Sequence, residues 1–225
     1  MTQADVPVFN IDEERRIFTL GNRRLESVTE TLAGVGLIDP RWFKTIHSVR
    51  GMRVHAYCQY IHDGENVADT LKMAAEDKSW DCGKGMEPYF PEDPDIGLDG
   101  CVESIRKRMV SEGFTEFLDI ERRLYHHDLF YTGRPDYRAK RRNDEWILDV
   151  KPEGHKKADE FQTAAYDPLF GKYAGVRKRA SLHYQRDGKE AEFREHRDYY
   201  DFSHFVCFLD TFRQLKSLNI KIVRI

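Results

Sequence analysis

Two short runs constrain this chain more than any other part of it. They are Gly133-Arg134-Pro135-Asp136 and, after twelve intervening residues, Asp149-Val150-Lys151. Residues 145–151 (Glu-Trp-Ile-Leu-Asp-Val-Lys) read as a strand, rich in β-branched and aromatic side chains. Side chains alternate along a strand, so Trp146, Leu148 and Val150 take one face and Ile147, Asp149 and Lys151 the other. Residues 130–138 read as a second strand, with the polar run 140–144 as the turn between them. Pairing the two strands brings Asp136 near Asp149. Carboxylates that close repel unless a cation sits between them, and hard divalent ions prefer oxygen ligands. The pattern therefore reads as a metal site with an ammonium beside it.

Further segments extend the pattern. Upstream lie Leu25-Glu26-Ser27-Val28-Thr29 and the run Gly51-Met52-Arg53-Val54-His55; downstream lies Gln162-Thr163-Ala164-Ala165-Tyr166. With Pro135-Asp136 and Asp149-Val150-Lys151, they resemble in type and order the PD-(D/E)xK nuclease superfamily, in its RecB-like, Cas4-like and phage exonuclease branch. The motifs span residues 25–166, and the chain to about 217 is compatible. The resemblance implies an α/β fold with a restriction-endonuclease-like core. That core has the order helix, three strands, helix, strand, with a central mixed sheet flanked by helices.

It also implies roles. Asp136 and Asp149 would be metal ligands, joined by His55 and the backbone carbonyl of Val150. Lys151 would orient or deprotonate a water or neutralise charge on the phosphate. Gln162 and Tyr166, four apart and so neighbours on one helix face, would line the site. Glu121, in the preceding strand, would add a ligand or a supporting hydrogen bond. The cofactor would be one or two Mg²⁺ or Mn²⁺ ions. His62 reads as solvated, and His126-His127 has no spacing that argues for zinc.

The cysteines bear on the branch. Cas4-like relatives hold an iron–sulfur cluster with one early and three late cysteines; of Cys58, Cys82, Cys101 and Cys207 only the last lies late, so no such cluster is expected. Their wide spacing, without a Cys-x-x-Cys pair, reads as reduced thiols of a cytoplasmic protein, bacterial or in a phage-infected host. No apolar run approaches the roughly 20 residues of a membrane span. The N-terminal residues carry no secretory signal pattern. A net charge of −3 does not advertise a nucleic-acid partner, but local patches matter more than the total. Basic clusters stand at 106–108, 138–142, 156–157 and 177–179. Those at 138–142 and 156–157 flank the site and are candidates for phosphate contact.

The 225 residues suit a single domain, 1–225. A β-hairpin is expected over 7–25 with Gly21-Asn22 at its turn or end, and a short helix after Ser27, with Glu30 completing a capping box. A longer helix is expected at 41–62 and a variable surface loop at 80–100, rich in Pro and Gly. After a helix at 104–112, the reading gives strands at 115–126, 129–138 and 145–151 and a helix at 156–168. Strands at 177–186 and 189–196 follow, turning at Asp187-Gly188. A helix at 199–217 carries an apolar stripe, Phe202, Phe205, Val206, Leu209, Phe212 and Leu215, expected to pack on the sheet.

The function this implies is metal-dependent hydrolysis of DNA phosphodiester bonds, as a phage-type exonuclease acting on DNA ends in recombination or repair. A structure-selective or single-strand endonuclease on the same scaffold is the alternative, and a catalytically silent DNA-binding module the other. Besides DNA, a single-strand annealing protein or a helicase is an implied partner, since no P-loop motif is present. A homo-oligomer is an implied assembly.

Overall fold

The computed structural model describes residues 7–12, 15–38, 51, 53–57, 98–152, 154, 156–171 and 174–221. It opens with an antiparallel meander, β1 (Phe9–Asp12), β2 (Ile17–Leu20) and β3 (Arg23–Ser27). Leu20 pairs with Arg23, so Gly21-Asn22 forms a turn rather than the end of the expected hairpin, which carries one more strand. Ser27 then caps α1 (Val28–Gly34). Its Oγ accepts from Glu30 N at 3.1 Å while Glu30 Oε2 accepts from Ser27 N at 3.4 Å, the anticipated capping box. Residues 51 and 53–57 are helical, as expected; the rest of 41–62 lies outside the described residues. So does the expected loop at 80–100, except that 98–100 already belong to α2 (Leu98–Glu112).

The strands that follow are shorter and more numerous than expected. β4 (Phe114–Ile120) is followed by β5 (Leu124–His126), β6 (Tyr131–Gly133), β7 (Tyr137–Arg141) and β8 (Asp144–Pro152). The single strand expected at 130–138 is thus two strands in two different sheets. Two local reasons account for the break. Phe130 has φ +54°, a left-handed conformation no strand interior adopts, and Pro135 has no N–H to give a ladder. The turn between β7 and β8 is only Arg142-Asn143, since Arg141 pairs with Asp144.

Two mixed five-stranded sheets result, ordered β1-β2-β3-β6-β5 and β10-β9-β8-β7-β4. In the larger, β4, β7 and β8 form an antiparallel meander. Helix α3 (Lys157–Tyr166), extended by a 3₁₀ turn (Asp167–Phe170), then crosses to β9 (Lys178–Tyr184), parallel to β8. The alternation read along 146–150 holds. Trp146, Leu148 and Val150 are buried with Val54, Ala56 and Tyr57 and with Cys101, Ile105 and Met109 of α2. Ile147 is buried on the other face with Ala158, Phe161 and Ala165 of α3. Each of the larger of these, Leu148, Val150 and Ile147 among them, contributes about 1.5–3 kcal/mol through removal from water. β8 therefore runs between two layers of helix, and its end must deliver Asp149 and Lys151 into the interior.

β9 pairs with β10 (Glu192–His196) antiparallel, but the last pair is His183 with Glu192, so the connection is longer than a tight turn at Asp187-Gly188. Its backbone is satisfied by α2 instead. Ser104 Oγ accepts from Gln185 N at 2.9 Å and Ser104 O from Ala191 N at 3.0 Å. The approach is so close that a Cβ on Gly100 would lie 1.8 Å from Arg186 O. The closing helix, α4 (Asp201–Ser217), was expected on the sheet; its buried Phe205 and Leu209 pack instead among residues of α1 and α3. Tyr131 reaches the same cluster and donates its hydroxyl to Ala165 O at 2.7 Å.

Candidate metal centre

Asp136 follows Pro135 in the stretch between β6 and β7. It is 6% exposed, and its Oδ2 accepts the N–H of Val150 in β8. Its backbone O accepts from Glu121 N at 3.1 Å, which ties the end of β4 to the same point. Glu121 has φ +48°, costing an L-residue on the order of 1–2 kcal/mol, a local strain that aims its side chain inward. His55 arrives from the helical segment between buried Val54 and Ala56. Its Nδ1 lies 2.7 Å from Glu121 Oε1 and 3.2 Å from Asp136 Oδ1. One nitrogen and two carboxylate oxygens, mutually within 4.8 Å, form a group able to hold a metal ion.

A second set adjoins it through β8. Asp149, 1% exposed, has Oδ2 2.6 Å from Lys151 Nζ, and its Oδ1 accepts from Gln162 Nε2 at 3.3 Å. Gln162 Nε2 also lies 2.8 Å from Tyr166 Oη, within donating distance. The Lys151 ammonium is the close partner of Asp149 Oδ2. A mixed nitrogen and oxygen donor set such as that of His55, Glu121 and Asp136 suits a divalent cation.

The electrostatics follow from crowding. Burial works against a charged His55, but the carboxylates of Asp136 and Glu121 outweigh it and raise the imidazole to about 10. Burial pushes Glu121 up. Burial acts the same way on Asp136, yet His55, Lys151 and the Val150 N–H bring it below the usual carboxylate range. Asp149 is raised to about 7 by burial despite Lys151. For Lys151, burial is overcome by Asp149 and Asp136, and its ammonium is held well above the ordinary lysine value. Tyr166 is raised by burial next to Asp149. At neutral pH the His55 proton thus occupies the centre of the three-residue cluster.

Of the residues singled out in the sequence, His55, Glu121, Asp136, Asp149, Val150, Lys151, Gln162 and Tyr166 converge here, but not as one ligand set. His55 and Asp136 meet directly. Asp149 faces Lys151 and Gln162, and Val150 enters through its N–H. Glu121, expected only as an auxiliary group, contacts His55 more closely than Asp136 does. Arg134 was missed as a participant: its Nε lies 3.1 Å from Glu121 Oε2. The signal was its place two residues before Asp136. Gly133 was quoted but given no role; a Cβ there would lie 2.8 Å from the Tyr166 ring, so only glycine lets Tyr166 approach.

Of the flanking basic clusters, Arg138 bonds Glu145 and Asp119, Lys140 bonds Glu116, and Arg141 lies 2.9 Å from Glu112. Lys157 pairs with Glu160. Farther off, Arg106 pairs with Glu103, and Arg177 and Arg179 with Asp167 and Asp201. Cys101 is buried and Cys207 exposed, both as free thiols; Cys58, Cys82 and His62 lie outside the described residues. Among the described residues no helix is long and apolar enough to cross a membrane.

The fold and site define a mixed α/β protein with a partly buried His–Glu–Asp cluster beside an Asp–Lys pair. No family model matches the chain, and no curated protein matches it.

Proposed function

We infer that this chain is a metal-dependent deoxyribonuclease of the PD-(D/E)xK type, acting as an exonuclease on DNA ends. The observation that carries the reading is the convergence of His55, Glu121 and Asp136 from three remote segments onto one point beside Asp149 and Lys151. The element order supports it. With β5 and β6 taken as an insertion, α2, β4, β7, β8, α3 and β9 follow the helix, three strands, helix, strand order of a restriction-endonuclease-like core.

In this reading His55, Glu121 and Asp136 hold Mg²⁺ or Mn²⁺, with Asp149 the adjoining carboxylate for a second position. When bound, such an ion polarises a phosphodiester and lowers the pKa of a coordinated water. The chain's own groups do the rest. Lys151 keeps its proton at neutral pH, so it serves to hold a water and to balance negative charge on the phosphate rather than to act as a base. Gln162, braced by Tyr166, fixes the rotamer of Asp149. Burial of Asp136, Asp149 and Gln162 in low dielectric strengthens their interactions.

The test is a nuclease assay with Mg²⁺ or Mn²⁺ on linear duplex, single-stranded and closed-circular DNA, beside Asp149→Ala. Degradation of linear DNA with the circle spared and the variant inactive supports the reading. Cutting of the circle converts it to an endonuclease. Survival of every substrate refutes it.

A further inference from the structure

A second buried polar group backs the Asp149–Lys151 pair. β9 runs parallel to β8, with Ser181 opposite Asp149 and His183 opposite Lys151. Paired residues of neighbouring strands share a face, so the hydroxyl and the imidazole sit on the side that carries the carboxylate and the ammonium. Ser181, His183, Asp159 of α3 and His196 at the end of β10 are all buried. Three of them form a chain. Ser181 Oγ lies 2.8 Å from His183 Nε2 and 3.0 Å from His196 Nε2, and His183 Nδ1 lies 3.2 Å from the backbone oxygen of Pro152.

Hydrogen-bond chemistry gives that chain a direction. A carbonyl oxygen only accepts, so His183 Nδ1 carries a proton and donates it to Pro152 O. In the neutral ring Nε2 is then an acceptor, and the Ser181 hydroxyl donates to it. Ser181 Oγ in turn accepts from His196 Nε2–H. The orientation of His183 is thus set from β9 and β10, behind the site.

What the chain holds is the joint between β8 and α3. β8 ends at Pro152, which has no N–H to give a ladder, and His183 supplies a bond at that point. The far side of the joint is held by Asp159, whose Oδ2 accepts from Lys156 N at 3.0 Å and lies 3.8 Å from His183 Nε2. Two arms leave this joint and grip one carboxylate. Lys151 Nζ, on β8, lies 2.6 Å from Asp149 Oδ2, and Gln162 Nε2, on α3, lies 3.3 Å from Asp149 Oδ1. A joint that slackens displaces both arms together, and a misplacement of about 1 Å at a reacting group costs about 100-fold in rate.

We propose that His183 is a positioning residue of the nuclease site: its Nδ1–H bond to Pro152 O, oriented by Ser181 and His196, locks the β8–α3 joint and holds Asp149 between Lys151 and Gln162 for turnover. The inference rests on the nuclease reading and extends its machinery to β9 and β10. The clamp acts through the backbone rather than on the DNA, so its loss appears in kcat and not in KM.

The test separates the two ring nitrogens. Asn and Gln both carry an amide N–H donor, the shorter side chain placing it near the Nδ1 position and the longer near Nε2. Steady-state cleavage of a short linear duplex with Mn²⁺ is measured beside denaturant melts, at a temperature where each variant is folded. His183→Gln is expected to lower kcat by about 10–100-fold with KM unchanged, and His183→Asn to restore most of that loss. Equal kcat in the two variants, or a loss confined to KM, overturns the clamp and leaves the nuclease reading standing; so does activity that merely follows stability. Nitrogen-15 NMR of histidine-labelled wild type decides the bond without any variant. A protonated Nδ1 on His183 is expected, and a bare Nδ1 overturns the clamp. A wild type that cleaves no DNA with Mn²⁺ overturns both the clamp and the nuclease reading.

Discussion

Glu121 and His55 meet at 2.7 Å, carboxylate oxygen to Nδ1, across 66 residues of chain. A contact so remote in sequence, made by a glutamate in a left-handed backbone conformation, marks a site that the fold maintains against local preference. Glu121→Gln preserves shape and removes the charge. Calorimetric titration with Mn²⁺ is expected to show affinity reduced by about 10–100-fold. Glu116→Gln, on an exposed carboxylate, is expected to leave it unchanged. Equal affinity in both variants contradicts the assignment of Glu121 to the cluster.

The protonation of His55 gives metal binding a pH dependence. The ring is charged up to about pH 10 and must lose its proton to become a ligand. Mn²⁺ affinity is therefore expected to rise about tenfold per pH unit through the neutral range, with one proton from His55 released per ion. Calorimetry in buffers of different ionisation enthalpy measures that proton directly. His55→Ala is expected to lose this proton release.

Without metal, the stability profile runs the other way. Asp149 is raised from its ordinary value to about 7, so between about 4 and 7 the folded state binds more protons than the unfolded, and stability falls as pH rises. His55 is also raised. Its stabilisation is complete below the unfolded value near 6.5 and disappears as pH climbs through about 10. Denaturant melts of metal-free protein are expected to show declining stability from pH 5 to pH 9. Asp149→Asn is expected to flatten the lower part of that decline.

Packing beneath the site provides a mutational test without charge. In Gly133→Ala the new methyl lies 2.8 Å from Tyr166 and Leu169, so the ring must shift. Overpacking of this kind costs about 1–3 kcal/mol. The variant is expected to melt several degrees lower and to lose activity, because Tyr166 braces the Gln162 amide that holds Asp149.

The buried Arg179–Asp201 pair stabilises the fold away from the site. Arg179 contacts Asp201 Oδ2 at 3.1 Å and the backbone oxygens of Glu160 at 3.0 Å and Asp198 at 2.8 Å. Burial already raises Asp201. Arg179→Met leaves that carboxylate without its main cation, and a loss of about 3–5 kcal/mol is expected in denaturant melts. Lys178→Ala, which breaks an exposed pair with Asp144, is expected to cost under about 1 kcal/mol.

Much of this site was legible in the residues. Alternation along 146–151 placed Asp149 and Lys151 on a common face, and four-residue spacing placed Gln162 beside Tyr166. The Ser27–Glu30 capping box was readable because capping is a local matter. What escaped was non-local. Pro135 and the left-handed Phe130 divide one apparent strand between two sheets, which a propensity reading of 130–138 passes over. The contact of Glu121 with His55 depends on where the helical residues 53–57 pack, and no spacing encodes that.

The central claim is that His55, Glu121 and Asp136 bind the ion that makes this chain a nuclease. Crystals grown with Mn²⁺ test it most directly, by anomalous diffraction at the manganese edge. The account requires a peak in contact with His55 Nδ1 and carboxylate oxygens of Glu121 and Asp136, absent in His55→Ala. No peak there in protein that cleaves DNA with Mn²⁺, or a peak held only by other residues, would contradict it.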